Sequence, residues 1–142
     1  MPNVSTTETF KAPIETVYSV LSDFDSYPNF MTGVSSVDVL STEGNKVRAR
    51  YNINVIKKFE YTMDHILTAP NKIEWNFVEG DLFKTSTGSW ELKSVDDSTT
   101  EVTYTLDMDF KVMVPGMMSK KLVSSNLPSM MKSIHREVEG RL

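Results

Sequence analysis

No cysteine occurs among the 142 residues, which excludes disulfides, thiolate zinc sites and cysteine nucleophiles together. A reducing cytoplasm suits such a chain. No run approaches the roughly 18 apolar residues of a membrane span. The opening MPNVSTTETF lacks the basic-then-apolar order of an export signal. The expectation is therefore one cytoplasmic domain over residues 1–142, long enough to bury its own core. Only two histidines are present, His65 and His135, on segments of different kinds, so no metal-ligand spacing arises. The six glycines never cluster into a phosphate cradle, and no serine stands in a Gly-x-Ser-x-Gly elbow. Nothing calls for a metal or a cofactor.

Basic charge is also short. With 15 Lys/Arg against 19 Asp/Glu, the chain is poorly suited to DNA, because neutralising phosphates demands a basic surface. The shortage is uneven: residues 117–142 hold five Lys/Arg against two Glu, so the rest of the chain has a balance of −7. The plain reading of that basic end is a solvated outer helix face. The sharper one is weak peripheral contact with an anionic membrane.

What is present is, first, one long helical pattern. In Met117–Leu142 the apolar residues Val123, Leu127, Met130, Met131, Ile134 and Val138 recur by threes and fours, and so form one stripe of a helix. Lys120, Lys121, Lys132, Arg136 and Glu137 occupy the opposite face, and His135 is expected in solvent. Pro128 removes one backbone bond and is expected to kink the helix near Ser124.

Before that helix the chain reads as short strands. Residues 4–10 form the first, and Pro13 then opens a helix with Ile14, Val17, Tyr18 and Leu21 on its apolar side. The stretch from Ser22 to Met31 mixes turn formers with Phe24, Tyr27, Phe30 and Met31, which need apolar cover. Strands follow at 34–40, 46–55, 60–67, 73–78, 85–93 and 102–112, separated by short turns. Their period-two alternation gives an apolar set of Val47/Ala49/Tyr51/Ile53/Val55, Tyr61/Met63/His65/Leu67, Ile73/Trp75/Phe77, Gly88/Trp90/Leu92 and Val102/Tyr104/Leu106/Met108/Phe110. Arg48/Arg50, Thr62/Asp64, Glu74/Asn76 and Asp107/Asp109 belong to the polar face. One long helix over one face of such a sheet makes a container.

Several segments together resemble the START-like (SRPBCC, helix-grip) superfamily, in its polyketide cyclase/dehydrase and coenzyme Q-binding branch. They are Ala12-Pro13-Ile14-Glu15 with Val17-Tyr18-Ser19-Val20-Leu21, then Asp23-Phe24-Asp25-Ser26-Tyr27-Pro28-Asn29-Phe30-Met31 and Gly33-Val34. Trp75-Asn76-Phe77-Val78-Glu79-Gly80, Gly88-Ser89-Trp90-Glu91-Leu92, Thr99-Thr100-Glu101-Val102-Thr103-Tyr104 and Leu127-Pro128 complete the match. The resemblance implies an α+β helix-grip fold of order β-α-α-β6-α. In it a curved seven-stranded antiparallel sheet wraps around the long C-terminal helix, with two short helices after the first strand. It also implies an apolar pocket for lipids, quinones, sterols or polyketides.

The function expected is binding or carrying of a hydrophobic small molecule (lipid, ubiquinone or polyketide-like) between sheet and helix. The candidate pocket residues are Phe30, Tyr51, Tyr61, Met63, His65, Trp75, Phe77, Trp90, Tyr104, Met108, Met117, Leu127 and Met131. Entry is expected near Phe30, Met31 and Met113–Met118, where thioethers flank Pro115-Gly116. Two alternatives stand beside it. One is a cyclase or dehydratase, for which only His65 with a tyrosine is available as an acid/base group. The other is a ribosome or protein-interaction module using Lys57-Lys58 and the basic helix.

Overall fold

The computed structural model describes residues 3–54 and 57–142. Val55, assigned above to the apolar set, lies outside the described residues. Strand β1 (Asn3–Phe10) is followed by helix α1 (Ile14–Ser22), a 3-10 turn at Phe24–Ser26 and the single-turn helix α2 (Tyr27–Phe30). Six strands follow: β2 (Val34–Glu43), β3 (Lys46–Asn54), β4 (Lys58–Thr68), β5 (Lys72–Gly80), β6 (Phe83–Asp96) and β7 (Thr99–Phe110). The sequence ends in α3 (Gly116–Lys121), a π turn (Leu122–Asn126) and α4 (Leu127–Gly140). The strands pair in the order β1-β7-β6-β5-β4-β3-β2, antiparallel throughout, and form the curved sheet of a helix-grip fold.

Several strands run further than the turn signals suggest. β2 continues to Glu43 instead of stopping at Leu40, because Gly44 takes a left-handed φ of 59° and shortens the turn to Gly44-Asn45. The alternation of faces holds along β3 and β7: Val47, Ala49, Tyr51 and Ile53, then Val102, Tyr104, Leu106 and Met108, are buried, whereas Asp107 is exposed. On the outer face Arg48 makes a two-point ion pair with Asp64 (2.7 and 3.0 Å), and Arg50 reaches Asp38 at 3.2 Å. Thr62 departs from the pattern. It is buried although its parity is polar, at the place where β4 and β5 slip by one residue, Thr62 facing Glu79 and Met63 facing Phe77.

The C-terminal helix is continuous but not uniform. Its hydrogen bonding widens to a π turn over Leu122–Asn126, around Ser124. Pro128 has no N–H to give the Ser124 carbonyl, so the α-helical ladder cannot pass through that point. Leu122, Met131, Ser133, Ile134 and Val138 are buried, while Lys120, Lys121, Lys132 and Arg136 are exposed.

Three tethers hold α4 against the rest of the protein. Ser133 Oγ donates to the Ser129 carbonyl (2.8 Å), and therefore accepts from the Thr32 hydroxyl at 2.8 Å. Arg141 bonds Asp23 at 3.0 Å. His135, expected in solvent, is instead half-buried. Its ring stacks on Phe10 with centroids 3.9 Å apart, and its Nε2 lies 2.7 Å from Glu8. The flat ring has an apolar face to bury and a polar edge to satisfy, and β1 supplies partners for both.

Ile134 is fully buried and Leu127 only half-buried. Ile134→Ala is therefore expected to cost about 2–5 kcal/mol, and Leu127→Ala clearly less. Chemical denaturation of the two variants measures both, and equal, near-zero effects would mean that α4 does not cover the sheet.

Candidate functional site

Between the concave sheet face and the C-terminal helix lies a cavity of about 160 Å³, more than ten times the roughly 10–15 Å³ a single water needs. Each layer of the fold contributes to its wall. Phe24 and Tyr27 come from the short helical turns, and Met31, Thr32 and Gly33 from the loop that follows. Tyr51, Tyr61, Met63, His65, Trp75, Ser86, Trp90, Tyr104, Leu106 and Met108 come from the central strands. The helix adds Leu122, Asn126, Leu127 and Met130. Among the wall residues Thr32 is exposed and Gly33, Val34, Tyr61, Phe110, Asn126, Leu127 and Met130 are part-exposed; most of them lie on the loop after α2 and on the helix at and just after the π turn, where the cavity opens.

Nine of the thirteen candidate residues lie in this wall: Tyr51, Tyr61, Met63, His65, Trp75, Trp90, Tyr104, Met108 and Leu127. Phe30, Phe77, Met117 and Met131 do not. Met117 is 86% exposed on the first turn of α3. Met131 is buried but lies beyond the helix residues that reach the wall, Leu122, Asn126, Leu127 and Met130. The apolar stripe continues past the cavity, and spacing alone does not show where the wall ends. Phe30 packs edge-on against Tyr27 (5.7 Å), and Phe77 against Phe83 (6.2 Å), outside the wall. Met113, expected at the entrance, is also exposed and absent from the wall. Ser86 escaped the sequence reading, although it shares the parity of Gly88 and Trp90 and a strand followed back from Trp90 reaches it.

The strand register explains how the rings come together. Val47, His65, Trp75, Gly88 and Leu106 form one row across five strands. Gly88 is required there, because a Cβ at that position would overlap the Trp75 indole and the Thr105 carbonyl oxygen. With the space clear, Trp75 lies over β6 and joins Trp90 (6.3 Å) and Tyr104 (5.7 Å), which themselves meet at 4.3 Å. A second group stacks Tyr51 on Tyr61 at 5.3 Å, and Tyr61 meets Phe83 edge-on at 5.1 Å.

The titratable groups in the wall are neutral, and two of them, His65 and Tyr51, are hydrogen-bonded to each other. His65 Nδ1 faces the Val47 carbonyl at 3.2 Å, so this nitrogen carries the proton, and Nε2 accepts from the Tyr51 hydroxyl at 2.8 Å. Burial pushes the His65 pKa down to about 4, outweighing the opposing effects of the Val47 carbonyl and Asp64. Burial likewise raises the phenols of Tyr27, Tyr51, Tyr61 and Tyr104 above their usual range. Tyr27 donates to the Leu21 carbonyl. Asp64, next to His65 in sequence, is on the outer face, where Arg48 holds its carboxyl below the usual range. Among the described residues no Lys, Arg, Asp or Glu lines the cavity, and no group of three His, Asp or Glu gathers to hold a metal.

The family model for polyketide cyclase / dehydrase and lipid transport proteins matches residues 10–134. The chain superposes on the crystal structure of the Zhui aromatase/cyclase from Streptomyces sp. R1128 with a TM-score of 0.88, at 20% identity, covering 99% of this chain and 94% of that one. It superposes on a START superfamily protein from Mycobacterium smegmatis with a TM-score of 0.85, at 25% identity, covering 97% of each. It is also 26% identical over 113 residues to the ribosome association toxin RatA of Escherichia coli K12, spanning 78% of this chain and 70% of RatA.

Two outcomes are expected from the wall geometry. Between pH 6.5, where His65 would titrate in the unfolded chain, and its folded value of about 4, only the unfolded state takes up the proton. Stability is therefore complete above pH 6.5 and falls on acidification through this window, by about 3 kcal/mol for this one group. His65→Gln, which can still accept from Tyr51, is expected to flatten this segment of a denaturation-against-pH profile; an unchanged slope would contradict the assignment. Gly88→Ala is expected to destabilise by about 1–3 kcal/mol through overpacking and to shift tryptophan emission by displacing Trp75, with unaltered emission as the opposing result.

Proposed function

This chain belongs to the polyketide cyclase / dehydrase and lipid transport family, and on that premise we propose that it binds and carries a hydrophobic small molecule, lipid-, quinone- or polyketide-like, between the sheet and the C-terminal helix. The observation that supports this reading is the cavity itself: space of about 160 Å³ walled by aromatic rings and thioethers, with no charged side chain among the described residues. Affinity in such a site comes from apolar burial. Removing about 300 Å² of ligand surface from water supplies roughly 7 kcal/mol before ordering costs, enough for a micromolar complex. Exchange with the outside uses the gap between Thr32–Val34 and the π turn. The exposed Val112, Met113 and Met117 beside Lys120 and Lys121 fit weak peripheral contact with an anionic membrane at that end.

His65 supports carrying more than catalysis in this reading. It is neutral at pH 7, and both ring nitrogens are engaged, so service as a base would require release of the Tyr51 hydroxyl. The similarity to RatA favours a second reading, a ribosome contact through the exposed Lys57, Lys58, Lys120, Lys121, Lys132 and Arg136. Co-sedimentation with ribosomes at low and high salt separates the two, since a basic contact is lost at high salt and cavity binding is not.

Titration with a short-tailed ubiquinone analogue, followed by Trp75 and Trp90 fluorescence, is expected to give saturable quenching with little salt dependence. His65→Gln is expected to keep the affinity within about tenfold, the scale of one modest hydrogen bond. A panel of quinones, sterols and polyketide-like phenols that leaves the emission unchanged would refute the binding reading.

A further inference from the structure

We propose that the hydrogen-bonded pair Thr32 and Ser133 is the clasp of the cavity, and that a ligand enters and leaves when the loop after α2 releases α4 there. The proposal rests on the binding reading above and concerns how that same site opens. Ser133 is 3% exposed on α4 and is not a wall residue, whereas Thr32 lines the cavity at its opening. A serine hydroxyl has one proton to give and two lone pairs to fill. At Ser133 all three are used. The proton goes to the Ser129 carbonyl (2.8 Å), and the lone pairs take the Thr32 hydroxyl (2.8 Å) and the Thr32 backbone N–H (3.3 Å). One loop residue thus grips one helix residue twice.

The rest of the enclosure is harder to part. β3, β4 and β5 are joined by their ladders, as are β6 and β7, so separating such strands breaks a row of backbone bonds. Where β5 and β6 diverge beyond Asn76 and Thr87, the rings of Phe77 and Phe83 meet at 6.2 Å and fill the gap. The helix is fixed too, because α4 is pinned by buried Met131 and Ile134 and by the bonds of His135 to Glu8 and Arg141 to Asp23. That leaves the loop. Thr32 is exposed, and Gly33 beside it has a φ of 87° and a carbonyl held by the Asn54 N–H at 2.8 Å. A glycine changes its backbone angles with no side chain in the way, so the loop can turn about this anchored point. Among the described residues Thr32 is the one loop residue that hydrogen-bonds the helix. Once it lets go, the seam beside Leu127 and Met130 is apolar, and an apolar ligand replaces the contacts it displaces.

Stopped-flow binding of the uncharged fluorophore N-phenyl-1-naphthylamine to the wild type, to Ser133→Ala and to the double variant Thr32→Cys/Ser133→Cys tests this. The same clasp holds the empty and the filled protein, so S133A is expected to raise the association and dissociation rates together, by about two- to tenfold, and to keep Kd within about twofold. The chain has no cysteine of its own, so the double variant can form only one bridge. Oxidised, it is expected to slow both rates by at least about tenfold, and reduction to restore them. Unchanged rates in S133A, a change confined to its dissociation rate, or an oxidised variant that exchanges as fast as its reduced form would overturn the proposal while the binding reading stands. A pair that does not cross-link on air oxidation would mean that the two side chains are not neighbours, which also overturns it. If the bridge forms but the fluorophore does not bind the wild type, the binding reading fails and the clasp fails with it.

Discussion

Burial of the concave sheet face under one helix is the constraint on which the rest of this structure depends. Strands β3 to β7 turn most of their large side chains inward, and the cover must lie over that face. The helix is regular where the core is filled, around Ile134 and Val138. It is irregular at Leu122–Asn126, and the π turn there contributes Leu122 and Asn126 to the cavity wall. Pro128 thus has a consequence beyond the local hydrogen bond: it interrupts the cover at the end where the wall residues are partly exposed. The Thr32–Ser133 hydrogen bond then ties the cover to the loop on the other side of the opening.

The same burial sets the electrostatics. Rings that share one concave face bring phenols, indoles and an imidazole out of water, and each of the titratable ones is driven toward its neutral form. Pairing among these groups follows from that: a neutral imidazole needs one donor and one acceptor, and the Tyr51 hydroxyl and the Val47 carbonyl provide them. Formal charge is kept to the outer face, where Arg48, Asp64 and Lys46 meet. The result is a space without net charge, whose preference among ligands depends on shape and on the few hydroxyls left without partners.

Much of this was legible in the sequence because the side-chain period of a strand is two. Once Trp75, Trp90 and Tyr104 are placed on one parity, their convergence follows, as does the separation of His65 from Asp64. The C-terminal helix was legible as a stripe, but not how far along it the cavity extends, so Met131 and Leu127 appeared equivalent although only Leu127 reaches the cavity. Met117 was misplaced because hydrophobicity does not reveal what lies opposite: α3 has no buried residue, and its methionine is exposed. His135 was misplaced for the converse reason, since its partners Glu8 and Phe10 are more than a hundred residues away and no periodicity connects them. Ser86 was missed because a small polar residue gives no apolar signal, although the alternation runs through it.

Native mass spectrometry of the protein purified from its own cells, repeated after incubation with a neutral quinone, tests most directly whether the cavity is a ligand site. The account predicts a one-to-one adduct with an uncharged apolar molecule, either co-purified or acquired on incubation, and its weakening when a bulkier side chain fills the wall at Leu106 or Met108. A bare protein mass before and after incubation with neutral quinones, sterols and aromatic ketones would contradict it.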